Sequence, residues 1–296
     1  MTSLKNMAAV EAEVKRGTAF LGHLCWYTIY NTNISRANLQ DKFIDAKVDL
    51  RYMPNKIKPV DAFRRATAEL EENRLPYGEK YQNFLIREVL CDKSSVVRQL
   101  IRETVDSKNV RLEYAKVGEI TFYRDYEQIR VGDYGAGEKL AKVEDLFNEY
   151  KESYDGQHIR RVVRTILADM NPAAVRPSGG VYFVPQKYQG QLLALEKLVR
   201  SLDGEFFTMP VVDQEKSRDM LYRKFKEQVE QSIVQMKDVL QSGKTSKAEM
   251  VKIIDSSKKM FEQIKEYEEL LNRNLADLKV GVDVLKEQII TLLDVA

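Results

Sequence analysis

The sequence predicts an α+β protein: an antiparallel-sheet body, a winged-helix-like segment and a C-terminal antiparallel helical hairpin of coiled-coil character. Three observations predict it. Between residues 84 and 123 apolar and polar residues alternate in short runs, with turn residues between them, the pattern of an antiparallel meander. Residues 138–200 carry apolar stripes at helical spacing around a glycine-tipped hairpin, RPSGGVYFVP. After Pro210 there is no further proline, and Leu221, Phe225, Val229, Ile233, Met236 and Leu240 recur every three or four residues, the period of a packed helix. The expected boundaries are 1–133 for an α+β domain with the meander, 134–213 for the winged-helix-like segment and 214–296 for the hairpin.

The elements follow in order. Residues 18–30 (TAFLGHLCWYTIY) are apolar and aromatic and open the core as a strand or a helix. Ser35 caps a helix that carries Leu39 and Phe43 on one face. Pro59 suits the first turn of a helix over 60–73, with Phe63, Ala66 and Leu70 inward. Residues 75–78 (LPYG) close it as a turn. Strands are expected at 84–91, 96–105, 110–114 and 119–123, the last two separated by a turn at Val117-Gly118. Arg98, Leu100 and Arg102 then fall on the face opposite Val97, Ile101 and Val105. Helices are expected at 138–153, 157–170 and 191–201, two short strands around a turn at 178–180, and a last strand at 206–212.

The C-terminal region reads as two helices of unequal length. Ser242-Gly243-Lys244 is a stop, and Ser246 with Glu249 is a capping box for the second arm. That arm runs on through Leu271, Leu275, Leu278, Val282, Leu285, Ile289 and Leu292. It exceeds the first by roughly 20 residues, or about 30 Å. The first helix cannot cover this overhang. It packs on the globular part, on another copy of the chain, or on a partner protein, and its apolar residues are the expected interface.

Composition narrows the function classes. Of 296 residues 44% are hydrophobic and 31% charged, and the net charge is +2. A core can form, and any nucleic-acid affinity must come from a local patch. No stretch is apolar enough to span a bilayer, residues 1–17 lack a signal-peptide core, and the two cysteines, Cys25 and Cys91, sit among apolar neighbours as expected of buried thiols in a reducing compartment. A cytoplasmic protein that does not engage a membrane follows as the expectation.

Catalytic and metal-binding patterns are weak. His23 and His158 have no ligand spacing around them, so no metal, no cofactor and no catalytic residue is assigned. The loop GDYGAGEK at 132–139 is like a phosphate loop, but Glu138 separates its last glycine from Lys139, and Leu140 stands where a magnesium-binding hydroxyl belongs. A plain connection is the expected reading.

Basic clusters are better supported. Residues 156–200 hold seven basic side chains against two acidic ones. Arg160, Arg161 and Arg164 lie on adjacent turns of a helix, off its apolar stripe, with Arg176 and Lys187 flanking the hairpin. The order helix, helix, hairpin is part of a winged helix, in which a helix enters the major groove and the hairpin touches the backbone. Arg64 and Arg65 sit in a second cluster with Arg51, Lys56 and Lys58, opposed by Asp61. The alternative is a solvated face with internal salt bridges. Tyr182 and Phe183 either stack on bases or fill the core.

Three stretches together, MPNKIKPVDAFRRAT at 53–67, the run 85–124 and RPSGGVYFVP at 176–185, resemble a family of uncharacterised proteins of bacteria and their phages, carried as a domain of unknown function. The resemblance covers about residues 20–240. It implies a bacterial or phage origin and a role near mobile elements or phage–host conflict, and it brings no activity, cofactor or catalytic residue. The expected function is therefore a non-enzymatic, oligomeric binding or assembly protein that contacts nucleic acid through the basic helix and hairpin. The alternatives are an adaptor or inhibitor that grips a bacterial or phage protein through its long helices, and, last, a nucleotide-dependent enzyme.

Overall fold

The structure, a computed structural model, describes residues 19–176, 179–241 and 246–295. It is α+β, with antiparallel sheets and C-terminal helices. The chain divides into two compact units that do not follow one another in sequence. The first comprises residues up to Tyr30, Lys42–Tyr52 and Arg160 onward; the second comprises Asn31–Asp41 and Met53–Ile159. The segment 134–213, expected as one piece, contributes to both.

The second unit is the meander. Five antiparallel strands lie in chain order: β3 (Glu72–Tyr77), β4 (Lys80–Cys91), β5 (Ser95–Val105), β6 (Arg111–Tyr123) and β7 (Gln128–Asp133). One face is covered by α2 (Pro59–Ala68), α3 (Glu138–Ala141) and α4 (Val143–Glu152), which bury Phe63, Ala66, Leu140, Val143 and Phe147 against Val96, Leu100, Ile120 and Phe122. Pro59 begins α2 as expected. A separate two-stranded pair joins β2 (Asn33–Ser35) to β8 (Ser153–Asp155).

Several expectations for this unit are corrected. Residues 72–77 are a strand, not a helix end and turn. Pro76 is tolerated because β3 is an edge strand that needs no outward N–H, and the turn proper is at Gly78, whose φ is +60°. The two strands expected at 110–114 and 119–123 are one, β6, with a register shift opposite Leu100 and Ile101. Gly118 is therefore no turn residue: a Cβ there would stand 2.7 Å from Leu140 Cδ1. The helix expected at 138–153 breaks at Lys142 into α3 and α4. The face assignment of β5 needs no correction: Arg98 shares a face with Val96 and Leu100 as its alternation predicts, and on that covered face it donates from Nη1 to the Arg64 carbonyl at 2.8 Å and to Thr67 Oγ1 at 2.5 Å. Cys91, expected buried, is exposed. β3 pairs with β4 only up to Phe84, so the far half of β4 runs past its neighbour.

In the first unit a four-stranded antiparallel sheet has the order β11 (Glu205–Val212), β1 (Phe20–Thr28), β10 (Tyr182–Pro185), β9 (Ala173–Ala174). The stretch read from sequence as strand or helix is thus a central strand. Cys25 is buried in it, and burial pushes its thiol up to about 12. The helices are α1 (Arg36–Ala46), whose chain crosses from the second unit to the first, α5 (Gly156–Ala168), which crosses likewise, and α6 (Gln189–Ser201). Ser35 Oγ accepts the Asn38 N–H at 3.2 Å, the expected cap. The turn read at 178–180 lies partly outside the described residues.

The C-terminal region is three helices: α7 (Glu215–Gln241), α8 (Lys247–Leu271) and α9 (Ala276–Val295). The Ser246–Glu249 capping box is present; residues 242–244 lie outside the described ones. The long second arm is the main correction. It ends at Asn272, which adopts φ 50°, ψ 47° and directs its N–H to the Glu268 and Glu269 carbonyls, a left-handed cap open to asparagine. Asn274 Oδ1 then accepts the Ala276 N–H at 2.8 Å and starts α9. The chain folds back, and the expected overhang packs on its own neighbours. Leu271, Leu275, Leu278, Val282, Leu285 and Ile289 are all at most 4% exposed within one chain. The side chain of Leu292 lies outside the described residues. Most of this row shares a core with Phe225, Val229, Ile264 and Tyr267 and, from the sheet, Leu21, Phe183 and Val211. The Phe225 and Tyr267 rings stack at 4.0 Å. Among the described residues no helix is long and apolar enough to cross a membrane.

Candidate nucleic-acid interface

Helix α5 begins because Asp155 caps it. Asp155 Oδ1 accepts the backbone N–H of Gln157 at 2.9 Å and of His158 at 3.0 Å, and it meets His158 Nδ1 at 2.8 Å. Burial pushes this carboxyl up, but the His158 hydrogen bonds and the Arg65 charge outweigh it and hold it below its ordinary value. The apolar stripe Ile159, Val162, Val163, Ile166 and Leu167 is buried. The opposite face leaves Arg161 and Arg164 in solvent.

The three arginines of α5 have different surroundings. Arg160 is half-buried and donates from Nη2 to the Ile29 carbonyl at 2.6 Å, tying the helix to the end of β1. Among the described residues Arg164 donates only to the Arg160 carbonyl, at 3.3 Å. Arg161 makes no ion pair or side-chain hydrogen bond among the described residues, and neither does Arg176, which is exposed after β9. Tyr27 of β1 and Tyr182 of β10 belong to the same neighbourhood. Burial and the Tyr182 phenol raise the Tyr27 phenol, while Arg164 and Arg160 pull it down. Two tyrosines and a set of guanidinium groups thus meet at one end of the sheet.

The other predicted cations are engaged. Lys187 pairs with Glu266 at 2.9 Å. In the second unit Arg64 makes a two-pronged bond to Glu88, at 2.9 and 2.8 Å. Arg65 donates to the Ser153 carbonyl at 3.0 Å, stands 3.5 Å from Asp155 and lies over the Tyr150 ring. The predicted set therefore belongs to two units. Phe183 fills the core, whereas Tyr182 is only half-buried.

Sequence reasoning missed three features. Trp26 and Phe207, cross-strand neighbours on β1 and β11, stack with ring centroids 5.6 Å apart and remain open to solvent. Alternation in each strand hinted at this, but the pairing register was needed to join them. In the second unit an open cleft of about 500 Å³ is lined by Asn31, Asn33, Arg65, Glu69, Tyr150 and Asp155 among others. The Tyr150 hydroxyl donates to Glu69 Oε1 at 2.9 Å, and burial together with that bond pushes its phenol up to about 12. The third is Cys91 Sγ, which lies within 3.5 Å of Arg64 Nη2 and 3.4 Å of Arg124 Nη2.

The glycine loop proves to be filled by its own side chain. Asp133 Oδ1 accepts the N–H groups of Gly135, Ala136 and Gly137, the first two at 2.9 and 2.8 Å. These are the donors a phosphate would need. Among the described residues no group of His, Cys, Asp and Glu has the proximity to hold a metal ion.

No curated protein and no solved structure matches the chain. A family model, described as a family of unknown function (DUF6744), matches residues 20–296. With nearly its whole length matched, the protein belongs to this family of unknown function.

Proposed function

We propose that the protein is a non-enzymatic binding protein that contacts nucleic acid through the outer face of α5 and the adjoining β9–β10 hairpin. One observation carries the reading: Arg161, Arg164 and Arg176 offer solvent-facing guanidinium groups with no carboxylate partner among the described residues, while Arg64, Arg65 and Lys187 are paired. Free guanidinium groups suit phosphate oxygens, which they bind in a fork geometry. Arg160, held on the Ile29 carbonyl, positions the helix. The helix-then-hairpin order supports a winged-helix-like use of this surface, with the hairpin along the phosphate backbone. The Asp133 carboxylate seated in the glycine loop argues against a nucleotide-dependent enzyme.

The test is the anisotropy of a labelled oligonucleotide at several salt concentrations. The variant Arg161→Ala/Arg164→Ala/Arg176→Ala is expected to lose at least ~10-fold in affinity. Its salt slope should fall by about 2 to 3, from roughly 0.7–0.9 per phosphate contact. Arg64→Ala/Arg65→Ala should leave binding unchanged. Equal affinity for the wild type and the triple variant would end the assignment.

Assembly with another copy, or with a bacterial or phage protein, is a second reading favoured by α9. This helix is apolar on two sides: Val280 and Val284, one turn apart, are 62% and 45% exposed, opposite the buried stripe. Light scattering should give a mass above one chain, reduced to one by Val280→Glu/Val284→Glu. A wild-type monomer at high concentration would remove self-assembly.

A further inference from the structure

The open cleft of about 500 Å³ in the second unit has the dimensions of a small-molecule site. It forms where the chain entering β2, the end of α2, α4 and β8 converge. Arg65 is the one cation among its lining residues, and it is engaged. It bonds the Ser153 carbonyl, stands 3.5 Å from Asp155 and lies 4.3 Å from the centre of the Tyr150 ring. Acidic groups outnumber it. Glu69 Oε1 accepts the Tyr150 hydroxyl at 2.9 Å, and Glu149 accepts Asn33 Nδ2. Neither glutamate has a cationic partner among the described residues. Burial, Glu69 and Glu149 push the Tyr150 phenol up to about 12 against the pull of Arg65, so these charges gather around one hydroxyl that stays protonated. Ser153 supplies a second, independent feature. Ser153 and Asp155 alternate onto one face of β8, paired with Ser35 and Asn33 of β2, and Asn33 and Asp155 line the cleft. On their side of the pair Ser153 is 6% exposed, and its Oγ has no hydrogen-bond partner among the described residues.

The chemistry of the occupant follows from these groups. Anions, phosphate included, are repelled by the excess of carboxylates. A bare metal ion lacks a seat, since among the described residues no three acidic, imidazole or thiol groups converge to hold one. A sugar or base lacks an open ring, because Tyr150 carries Arg65 on one face and packs against the core of its unit. Ammonium groups spaced along an aliphatic chain match what is present: carboxylates that stand apart, a buried hydroxyl with free lone pairs, and the methyl group of Ala68 on the wall. We infer that the cleft binds a small aliphatic polyamine, with Glu69 seating one ammonium group and the Glu149–Asn33 pair the next. Each carboxylate makes a charge-assisted hydrogen bond there. Tyr150 is a positioning residue that holds Glu69 through its hydroxyl. The site is independent of the nucleic-acid reading, whose arginines belong to the first unit.

Isothermal titration calorimetry of the full-length chain with spermidine tests the site. The comparison ligands are triacetylspermidine, which keeps the aliphatic chain and loses the charges, magnesium chloride, and tetralysine. Spermidine should bind saturably at a single site, more weakly as salt rises. Triacetylspermidine and magnesium should bind at least ~10-fold more weakly, and tetralysine no more tightly than spermidine. Glu69→Gln and Glu149→Gln should each lose about 10-fold, and Tyr150→Phe about 3-fold. Asp277→Asn, on α9 and outside the cleft, should bind as the wild type does. Thermal melting of each variant checks that it folds. Absence of saturable spermidine binding at low salt overturns the site. So does spermidine affinity that is unchanged in both Glu69→Gln and Glu149→Gln, which would mark diffuse attraction to the surface. Magnesium or triacetylspermidine binding as tightly as spermidine overturns the ammonium assignment. Tighter binding of tetralysine overturns the small ligand, with a basic peptide then the occupant.

Discussion

Asp155 illustrates how one side chain serves local structure and electrostatics together. It caps α5, pairs with His158 and approaches Arg65. Its carboxyl is held below the unfolded value, so it stabilises the fold at pH values above the ordinary carboxylate range of about 3.9. That contribution is lost as pH falls through the lower folded value. Asp155→Asn keeps the capping oxygen and removes the charge. Its stability should therefore decline less steeply between about pH 5 and pH 2 than that of the wild type, followed by urea unfolding at each pH. Equal slopes would show that the charge does not contribute. Gly118 serves a different end. With Leu140 Cδ1 at 2.7 Å from any added Cβ, Gly118→Ala forces α3 to shift and should cost about 1–3 kcal/mol in chemical denaturation. A neutral result would mean that the Leu140 side chain simply turns aside.

At the scale of elements, the break at Asn272 has the largest consequence. It converts an expected hairpin with an uncovered end into three helices that share one core. Leu285→Ala, at a fully buried site, should therefore destabilise the chain by about 2–5 kcal/mol. Val280→Ser, on the open side of the same helix, should stay within ~0.5 kcal/mol. If Leu285 served an interface between chains instead, its variant would change the solution mass with little effect on a dilute monomer's unfolding. The capping box at Ser246 and Glu249 was readable because it is a local motif. Asn272-Arg-Asn274 is concealed in the sequence because the apolar row runs through it at helical spacing, from Leu271 to Leu275 and Leu278, and only the return of α9 shows the break. The merged strand β6 has the same cause: Val117-Gly118 looks like a turn, and the need for glycine comes from a helix that the sequence places 22 positions later.

At the scale of the molecule, the two units share the chain. It passes between them after Tyr30, Asp41, Tyr52 and Ile159, so a cut at the boundaries expected from sequence leaves neither unit whole. Fragments 1–133 and 134–213 should each fail to show a cooperative melt by circular dichroism. A sharp transition from either would mean that its segment folds without the pieces supplied from elsewhere in the chain. Removing residues 214–296 should expose Phe183 and Val211 on the sheet and give an aggregating product rather than a trimmed body, because these residues share a core with α7, α8 and α9.

Local chemistry settled much of this protein before any long-range contact is considered. The meander, the cap at Ser35, the start of α2 at Pro59, the amphipathic α5 and the apolar row from Leu271 to Ile289 are all written in spacing and side-chain type, because helix and strand periods act over a few residues. The folded chain settled what those rows face. Whether Arg64 meets Glu88 or a phosphate, whether Leu278 meets Phe225's neighbours or another copy, and whether Trp26 stands beside Phe207 depend on register and on the direction taken after Asn272. Those are properties of packing between segments far apart in sequence, and a one-residue shift in pairing or one left-handed residue reverses them.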